Sequence, residues 1–381
     1  MRAALFSLWL LVPAALVAQG ASSAPGDTAS QKADPPAPSP LAGFKLTGFA
    51  EASYSYSGRA VGNTIVGRLY DRYSDQFTLN ALKIAIDRPF AADKWDAGVH
   101  ADVLIGQNAP VLQSSGLNLG ANGDITQLYV TLNVPTANGN GLQFKVGKFV
   151  TLMGLEVIED VVNPNWSEGL QFIYVENFTH TGFEADYKFN KYADLELRVC
   201  NGWDRVVDDS GHKDIMGRLG LTPSAATSLG VVGYYGALEA IGNAKRYGVN
   251  LLVNQKLGPT SVWVQGDYGK EEANAALPDP TRDAQWWALG VWLAYDVVPK
   301  MGVALRGDYL DDEQGFRTSA AFGLPAGGPR HTLWTATGTL NIRTWPSVLV
   351  RPEVRYDHSN LTPFDGKQSQ TTVALSVAYL Y

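Results

Sequence analysis

Carboxylates recur in one apolar stretch between residues 152 and 177, and the type and spacing of four of them suit them to act on ions. They are Glu156, Glu159, Asp160 and Glu168, interspersed with leucine, isoleucine and valine. A segment this apolar is expected to be shielded from water. It either inserts into a channel and narrows it, with the carboxylates attracting cations, or caps a rim or packs against a neighbouring protomer.

A second set of charged residues follows a period of two along several segments. In a barrel these positions would form the polar side of the strands, which lines the lumen. The candidates are His100, Asp102, His180, Glu184, Arg198, Arg306, Arg351 and Arg355. A ring of one charge sign would select ions, but the signs here nearly balance, which favours cross-strand pairs that brace a wall. The histidines have no cysteine or second histidine at ligand spacing, so we interpret them as wall residues and predict no metal site.

Motifs for catalysis are weak throughout the sequence. Residues 141–148 resemble a phosphate-binding loop faintly, with the wrong glycine spacing and Phe149 in place of Ser or Thr. There is no Gly-x-Ser-x-Gly elbow. His358 and Asp357 are adjacent, so on a strand they point to opposite faces. We therefore predict no catalytic residue, no cofactor and no enzyme.

The elements that must carry these side chains are strands. The last nine residues alternate strictly, with apolar or aromatic side chains at Val373, Leu375, Val377, Tyr379 and Tyr381. Period-two alternation indicates a strand whose two faces meet different surroundings. Sixteen such segments follow one another between residues 44 and 381, and those near 213–222 and 228–237 are Gly-rich and the weakest.

The connections between these segments alternate between short and long. The short links are rich in proline and glycine, as at Pro89, Pro135 and Pro346. This parity is typical of short periplasmic turns and long outer loops. The sequence therefore predicts an all-β fold, a single transmembrane antiparallel up-and-down barrel of about sixteen strands. Trp95, Tyr379 and Tyr381 are predicted interfacial anchors.

The two ends and the composition predict an exported chain. Arg2 precedes an apolar run to Ala18 with small residues after it, which is typical of a signal peptide over residues 1–21. Residues 22–42 are Pro-rich and read as a disordered linker, so the barrel spans 43–381. The formal net charge of -7 argues against a nucleic-acid partner, and a single cysteine, Cys200, permits no intramolecular disulfide.

Five segments together resemble the bacterial OmpL-like family of β-barrel porins. They are residues 88–94 (RPFAADK), 147–151 (GKFVT), 154–158 (GLEVI), 178–182 (FTHTG) and 199–204 (VCNGWD). They cover the first half of the predicted barrel, and the second half matches in general character. The resemblance implies an outer-membrane pore of unassigned substrate and brings no catalytic residues.

The sequence as a whole predicts a porin in the outer membrane of a Gram-negative bacterium that passes small hydrophilic solutes or ions by passive diffusion. The alternative is a non-conducting outer-membrane barrel for adhesion or surface anchoring. The expected partners are the lipid bilayer with its outer-membrane lipids, the outer-membrane assembly machinery and small solutes. Oligomerisation is left open.

Overall fold

The computed structural model describes residues 43–136, 141–208, 211–237, 244–273, 277–325 and 327–381. The predicted signal peptide and linker lie outside this part of the chain. Within it, sixteen strands follow one another. They are β1 (Lys45–Ser57), β2 (Gln76–Arg88), β3 (Asp96–Ile105), β4 (Gly123–Val134), β5 (Leu142–Val150), β6 (Thr179–Asn190), β7 (Ala193–Cys200), β8 (Asp214–Ser224), β9 (Thr227–Ala237), β10 (Lys245–Leu257), β11 (Thr260–Glu271), β12 (Ala284–Val298), β13 (Met301–Asp312), β14 (His331–Trp345), β15 (Val348–Ser359) and β16 (Ser369–Leu380).

Each strand pairs antiparallel with its neighbours in sequence, and β1 pairs with β16 to close the barrel. The closing seam continues past β16, because Gly48 and Tyr381 exchange two backbone hydrogen bonds of 3.0 and 3.1 Å. Position 48 requires glycine, since a Cβ there would lie 2.1 Å from the carbonyl oxygen of Lys83. The predicted fold class and the count of sixteen strands are confirmed.

The alternation predicted from the sequence separates two faces in the structure. In β12 the side chains of Trp287, Leu289, Val291, Leu293 and Tyr295 are exposed on the outer surface. The intervening residues, from Trp286 to Trp292, are buried inside the barrel. The exposed set has aromatic rings at both strand ends and aliphatic side chains between them, the pattern of a bilayer-facing surface with two aromatic girdles.

Short turns and long loops alternate around the barrel, as predicted. The turns at one end, such as 191–192 and 258–259, contain two residues, whereas loops at the other end include 58–75 and 151–178. In the part of the chain that the structure describes, the long loops contain three short α-helices, α1 (Ala109–Leu112), α2 (Leu170–Tyr174) and α3 (Ser319–Phe322), and one 3-10 helix, Asp160–Val162. No helix among the described residues has the length and apolar character needed to cross a membrane.

Long loops supply apolar side chains to the interior of the barrel. One cluster packs Ile158, Val161 and Phe172 against Tyr70 and Phe49, and a second surrounds Leu170 and Tyr174 near Trp286. A third joins Leu152 and Met153 to strands β8 to β10. Segments that follow β5 therefore pack inside the barrel rather than extending away from it.

Candidate functional site

The loop between β5 and β6 crosses the inside of the barrel, and residues 152–177 are called the inner loop below. Its two ends are held together, because Thr151 Oγ1 donates a 3.1 Å hydrogen bond to Asn177 Oδ1. From there the Gly154 amide donates to Asn250 Oδ1 of β10 at 3.1 Å. Gly154 has a φ of +85°, and a Cβ there would lie 2.1 Å from the Glu176 carboxylate. Glycine thus permits the turn that sends the loop across the lumen.

Glu156 is buried and receives three donors. Arg306 Nη1 of β13 donates to it at 2.9 Å, Trp292 Nε1 of β12 at 2.8 Å, and the Gly169 amide at 2.6 Å. Arg306 also pairs with Asp308, with 3.0 Å between the guanidinium Nε and the carboxylate. This predicted constriction residue therefore fastens the inner loop to the wall.

Glu353 of β15 holds the middle of the inner loop by its backbone. Its carboxylate accepts hydrogen bonds from the amides of Trp166 at 2.8 Å and Ser167 at 3.2 Å. Arg355 Nη1, also on β15, donates to the carbonyl oxygen of Glu168 at 2.5 Å. We call the inward-facing side chains of β10–β15, which carry most of these contacts, the covered wall.

Asp160 and Glu168 are buried carboxylates of the inner loop, each about 1% exposed. Arg351 of β15 donates to Glu51 Oε1 at 2.9 Å and to the Asp160 carbonyl oxygen at 2.7 Å, and lies 3.5 Å from the Asp160 carboxylate. Burial, and then the charge of Glu51, raise the pKa of Asp160. Burial, followed by the charges of Asp71 and Glu156, raises the pKa of Glu168.

Glu159, next to Asp160 in sequence, has a different environment. Its side chain is 24% exposed and pairs with Lys83 of β2. Lys83 also pairs with Asp102 of β3 at 2.8 Å. Glu159 is thus the predicted constriction carboxylate that water reaches, whereas the other three are enclosed.

Two further loops enclose the inner loop. In loop 58–75, Arg68 pairs at 2.6 Å with both Asp71 and Asp357 of β15, and the Gly67 carbonyl oxygen accepts from the Tyr174 hydroxyl at 2.9 Å. In the loop after β13, Arg317 donates to the Tyr174 carbonyl oxygen at 2.6 Å. Arg68 and Arg317 are functional residues that the sequence alone does not reveal, because an arginine in a long loop looks the same whether or not it binds another loop.

The inward-facing side chains of β3–β8, which we call the facing wall, pair among themselves. His100 stacks on Tyr129 with 5.2 Å between ring centroids and lies 3.2 Å from Asp102. Glu184 binds both Lys145, at 2.6 Å, and Arg198.

Nearer the short-turn end of the facing wall, Arg218 pairs with Asp194 at 2.9 Å and with Glu196. The side chains of Arg218 and Lys145 are 28% and 25% exposed. Charged groups on this wall are therefore within reach of water in the lumen.

His180 is enclosed at the long-loop end of β6. Its Nδ1 lies 3.1 Å from the Gly202 carbonyl oxygen and 3.2 Å from Cys200 Sγ, and its Nε2 lies 2.9 Å from the Asn177 side chain. These contacts make it a structural residue of the wall. Among the described residues, no three histidine, cysteine, aspartate or glutamate side chains are grouped so as to hold a metal ion.

The predicted interfacial anchors lie on the outer surface of the barrel. Trp95 immediately precedes β3 and is 73% exposed, and Tyr379 and Tyr381 are about half exposed at the end of β16. The Tyr381 hydroxyl also donates to the Lys83 carbonyl oxygen at 3.0 Å. All three are at the short-turn end, where the sequence places the periplasmic interface.

Comparison with protein families gives one match over nearly all of the described chain. The model for the family described as Putative beta-barrel porin-2, OmpL-like, matches residues 43–381. The chain belongs to this family. The resemblance seen in five short segments is thereby confirmed for the whole barrel, and membership places the protein in the outer membrane of Gram-negative bacteria.

Solved structures with the same fold include several outer-membrane proteins. The anion-selective porin from Comamonas acidovorans has a TM-score of 0.60 at 10% identity, with 89% of this chain and 99% of that one covered. OprB of Pseudomonas putida has a TM-score of 0.57 at 11% identity, with 90% and 95% covered. The trimer form of OmpT from Vibrio cholerae has a TM-score of 0.57 at 10% identity, with 89% and 99% covered. Comparison with curated protein sequences finds no match.

In this porin-family barrel, the predicted lumen residues divide into two groups. Arg306, Arg351 and Arg355 lie on the covered wall and bind the inner loop. The others lie on the facing wall or its rim and bind wall neighbours: His100, Asp102, His180, Glu184 and Arg198. The arrangement can present charge to a solute mainly along the facing wall.

Proposed function

We propose that the barrel is a narrow outer-membrane channel through which small hydrophilic solutes or ions diffuse passively, and that the inner loop narrows it. The observation that supports this most directly is the charged strip on the facing wall. Lys145, Asp194, Glu196 and Arg218 keep part of their side chains exposed opposite the docked loop. Water reaching an inward-facing charge is what a diffusion path requires.

A replacement of the inner loop tests this function. Residues 152–176 can be exchanged for a short Gly–Ser turn, because Thr151 and Phe178 are already joined by a 2.9 Å backbone hydrogen bond. Single-channel recording in planar bilayers should show small openings for the wild type and larger ones for the variant. Retention of heat-modifiable migration on gels controls for barrel assembly.

The apolar clusters inside the barrel support the second candidate, a non-conducting barrel used for adhesion or anchoring. Tyr70, Phe172 and Phe49 pack with Ile158 in one buried apolar cluster inside the barrel. If wild type and loop replacement are both silent in bilayers although assembled, the channel proposal is wrong and this alternative is supported. Equal conductance of the wild type and the loop-replacement variant would instead show that the inner loop does not narrow the channel.

The proposal extends to partners that a barrel of this kind requires. The exposed apolar surface is the lipid contact, and the terminal strand ending at Tyr381 is the element we expect the assembly machinery to recognise. OmpT of Vibrio cholerae has a trimer form, and we propose an oligomer here too, to be checked by light scattering of the detergent-solubilised protein. Absence of catalytic machinery is part of the same proposal.

A further inference from the structure

Negative charge is in surplus where the inner loop meets the wall. The groups buried there, which we call the anchoring cluster, are eight carboxylates and four arginines. They are Glu51, Asp71, Glu156, Asp160, Glu168, Asp308, Glu353 and Asp357, with Arg68, Arg306, Arg351 and Arg355. A buried carboxylate without a compensating charge takes up a proton rather than remaining ionised.

The hydrogen bonds show that Glu168 is one of the uncompensated carboxylates. Arg306 and Arg355 both approach Glu168, but each donates to its carbonyl oxygen. Neither carboxylate oxygen of Glu168 has a hydrogen-bond donor, although the residue is fully buried. Polar atoms buried in this way are rare unless a proton, a water or an ion accounts for them.

Asp160 is the second such group. Arg351 directs Nη1 to the Asp160 carbonyl oxygen and Nη2 to Glu51 Oε1, which also accepts from Ser376 at 2.5 Å. Neither carboxylate oxygen of Asp160 accepts a hydrogen bond, and Glu51 Oε2 also lacks a donor. One guanidinium therefore serves two adjacent carboxylates, and one negative charge is left over.

We propose that the docked inner loop binds protons at Asp160 and Glu168, so that docking is coupled to proton uptake and the channel widens as pH rises. The second half of this statement depends on the proposed channel function. The first half concerns the loop alone and can be tested without it. A proton fits better than a metal cation, because the Arg351 guanidinium is 3.5 Å from the Asp160 carboxylate.

The surroundings of both groups favour the protonated form. Asp160 is faced by Glu51 from β1, Arg351 from β15 and Glu168 from its own loop, and its pKa is raised by burial and then by Glu51. Tyr70 of loop 58–75 packs close to the same carboxylates.

Glu168 has a similar environment. It is faced by Asp71 of loop 58–75, by Glu156 and by Arg306 of β13, and burial is the main cause of its raised pKa. Arg355 of β15 contacts only its carbonyl oxygen. The two carboxylates belong to the loop, so each leaves this environment when the loop undocks.

The direction of the pH effect follows from these shifts. In the undocked loop, in water, both carboxyls have an ordinary pKa of about 4. The docked loop therefore holds more protons than the undocked loop above that pH. Docking is fully favourable below about pH 4 and weakens as pH rises towards the raised pKa values, by up to tenfold in the docking equilibrium per pH unit and proton.

Hydrogen exchange of the inner loop tests the coupling directly. The amides of Trp166 and Ser167 bind Glu353 of β15, so they are hydrogen-bonded to the wall only while the loop is docked. From pH 5 to pH 9, after correction for intrinsic exchange, the wild type should lose at least tenfold in protection. The double variant Asp160→Asn/Glu168→Gln, which mimics two protonated groups, should lose clearly less protection than the wild type. Any loss that remains is attributed to Glu176, a third buried carboxylate of the loop whose pKa is raised by burial. The exposed-loop variant Asp365→Asn is the matched control and should follow the wild type.

Bilayer recordings over the same pH range give the functional arm. Conductance should rise with pH in the wild type and in Asp365→Asn, and should rise clearly less in the double variant. Equal loss of protection in wild type and double variant would overturn the proposal. So would protection that depends on calcium or sodium concentration at fixed pH, since a metal cation would then occupy the site. A pH-dependent exchange in a barrel that never conducts would support the coupling and contradict the channel function.

Discussion

The covered wall and the facing wall use the same residue types for different purposes. On the covered wall, Arg306 and Arg355 are buried, and their donors bind the inner loop. On the facing wall, Lys145 and Arg218 bind carboxylates of adjacent strands and keep about a quarter of the side chain exposed. An inward-facing charge on a barrel strand therefore does not by itself show that a solute can reach it, because a loop inside the barrel can cover it.

The ion pairs of the two walls also differ in how much they contribute to stability. Pairs on the facing wall resemble partly solvated ion pairs, which contribute about 0–1 kcal/mol. Removing one partner from a buried pair on the covered wall leaves the other charge uncompensated in a medium of low polarity, at a cost of about 3–5 kcal/mol. The two walls thus differ in stability as well as in access to water.

The largest expected effect comes from Arg306→Met on the covered wall. Glu156 and Asp308 lose their guanidinium partner, and we expect a cost of about 3–5 kcal/mol, expressed as release of the inner loop. Exchange of the Trp166 and Ser167 amides, which bind Glu353 of the covered wall, measures the release. Arg218→Met on the facing wall is the matched control and should cost about 1 kcal/mol or less. Similar costs for both variants would contradict the difference in stability between the two walls.

A smaller effect is expected on the outer surface of the barrel. The strands of the covered wall and those of the facing wall should lose the same stability there. Val130 of β4 and Val291 of β12 are both exposed outward on the middle of their strands. Arginine at either position near the bilayer midplane should cost about 2–4 kcal/mol. Denaturant unfolding from lipid vesicles measures this. A large difference between Val130→Arg and Val291→Arg would show that the inner loop affects more than the inward face.

The smallest effect on stability, within about 1 kcal/mol, is expected for Arg218→Gln. The variant leaves Asp194 and Glu196 with excess negative charge at an exposed position of the lumen. The reversal potential across a salt gradient should move towards cation preference. Glu156→Gln in the inner loop is the contrast, because its carboxylate is enclosed against the covered wall. If only Glu156→Gln changed ion preference, the solute path would run along the covered wall.

Much of the fold was predictable because its signal is local. The alternation from Val373 to Tyr381 identifies one strand. A two-residue turn such as 258–259 shows that the strands before and after it are neighbours. The sixteen strands therefore follow from local sequence patterns alone. The apolar residues around Glu156 also indicated a shielded loop. Which wall the loop binds was not predictable, because Glu156 and Arg306 are 150 positions apart.

The inward course of loop 58–75 was not predicted for the same reason. Arg68 lies 289 positions from Asp357, and a polar loop reads as solvent-exposed until its partners are known. The neighbouring sequence does not indicate this pairing for either residue. An arginine in a long loop and an aspartate on a strand look the same with or without such a partner.

Glu159 and Asp160 are adjacent in sequence but have different surroundings in the folded protein. From the sequence, both are carboxylates in an apolar segment between two strands of a barrel. In the folded protein, Glu159 meets water and Lys83, whereas Asp160 is enclosed beside Glu51 and Arg351. The physical reason is that burial and partner charge are set by segments from distant parts of the chain, while strand periodicity is set by neighbouring residues.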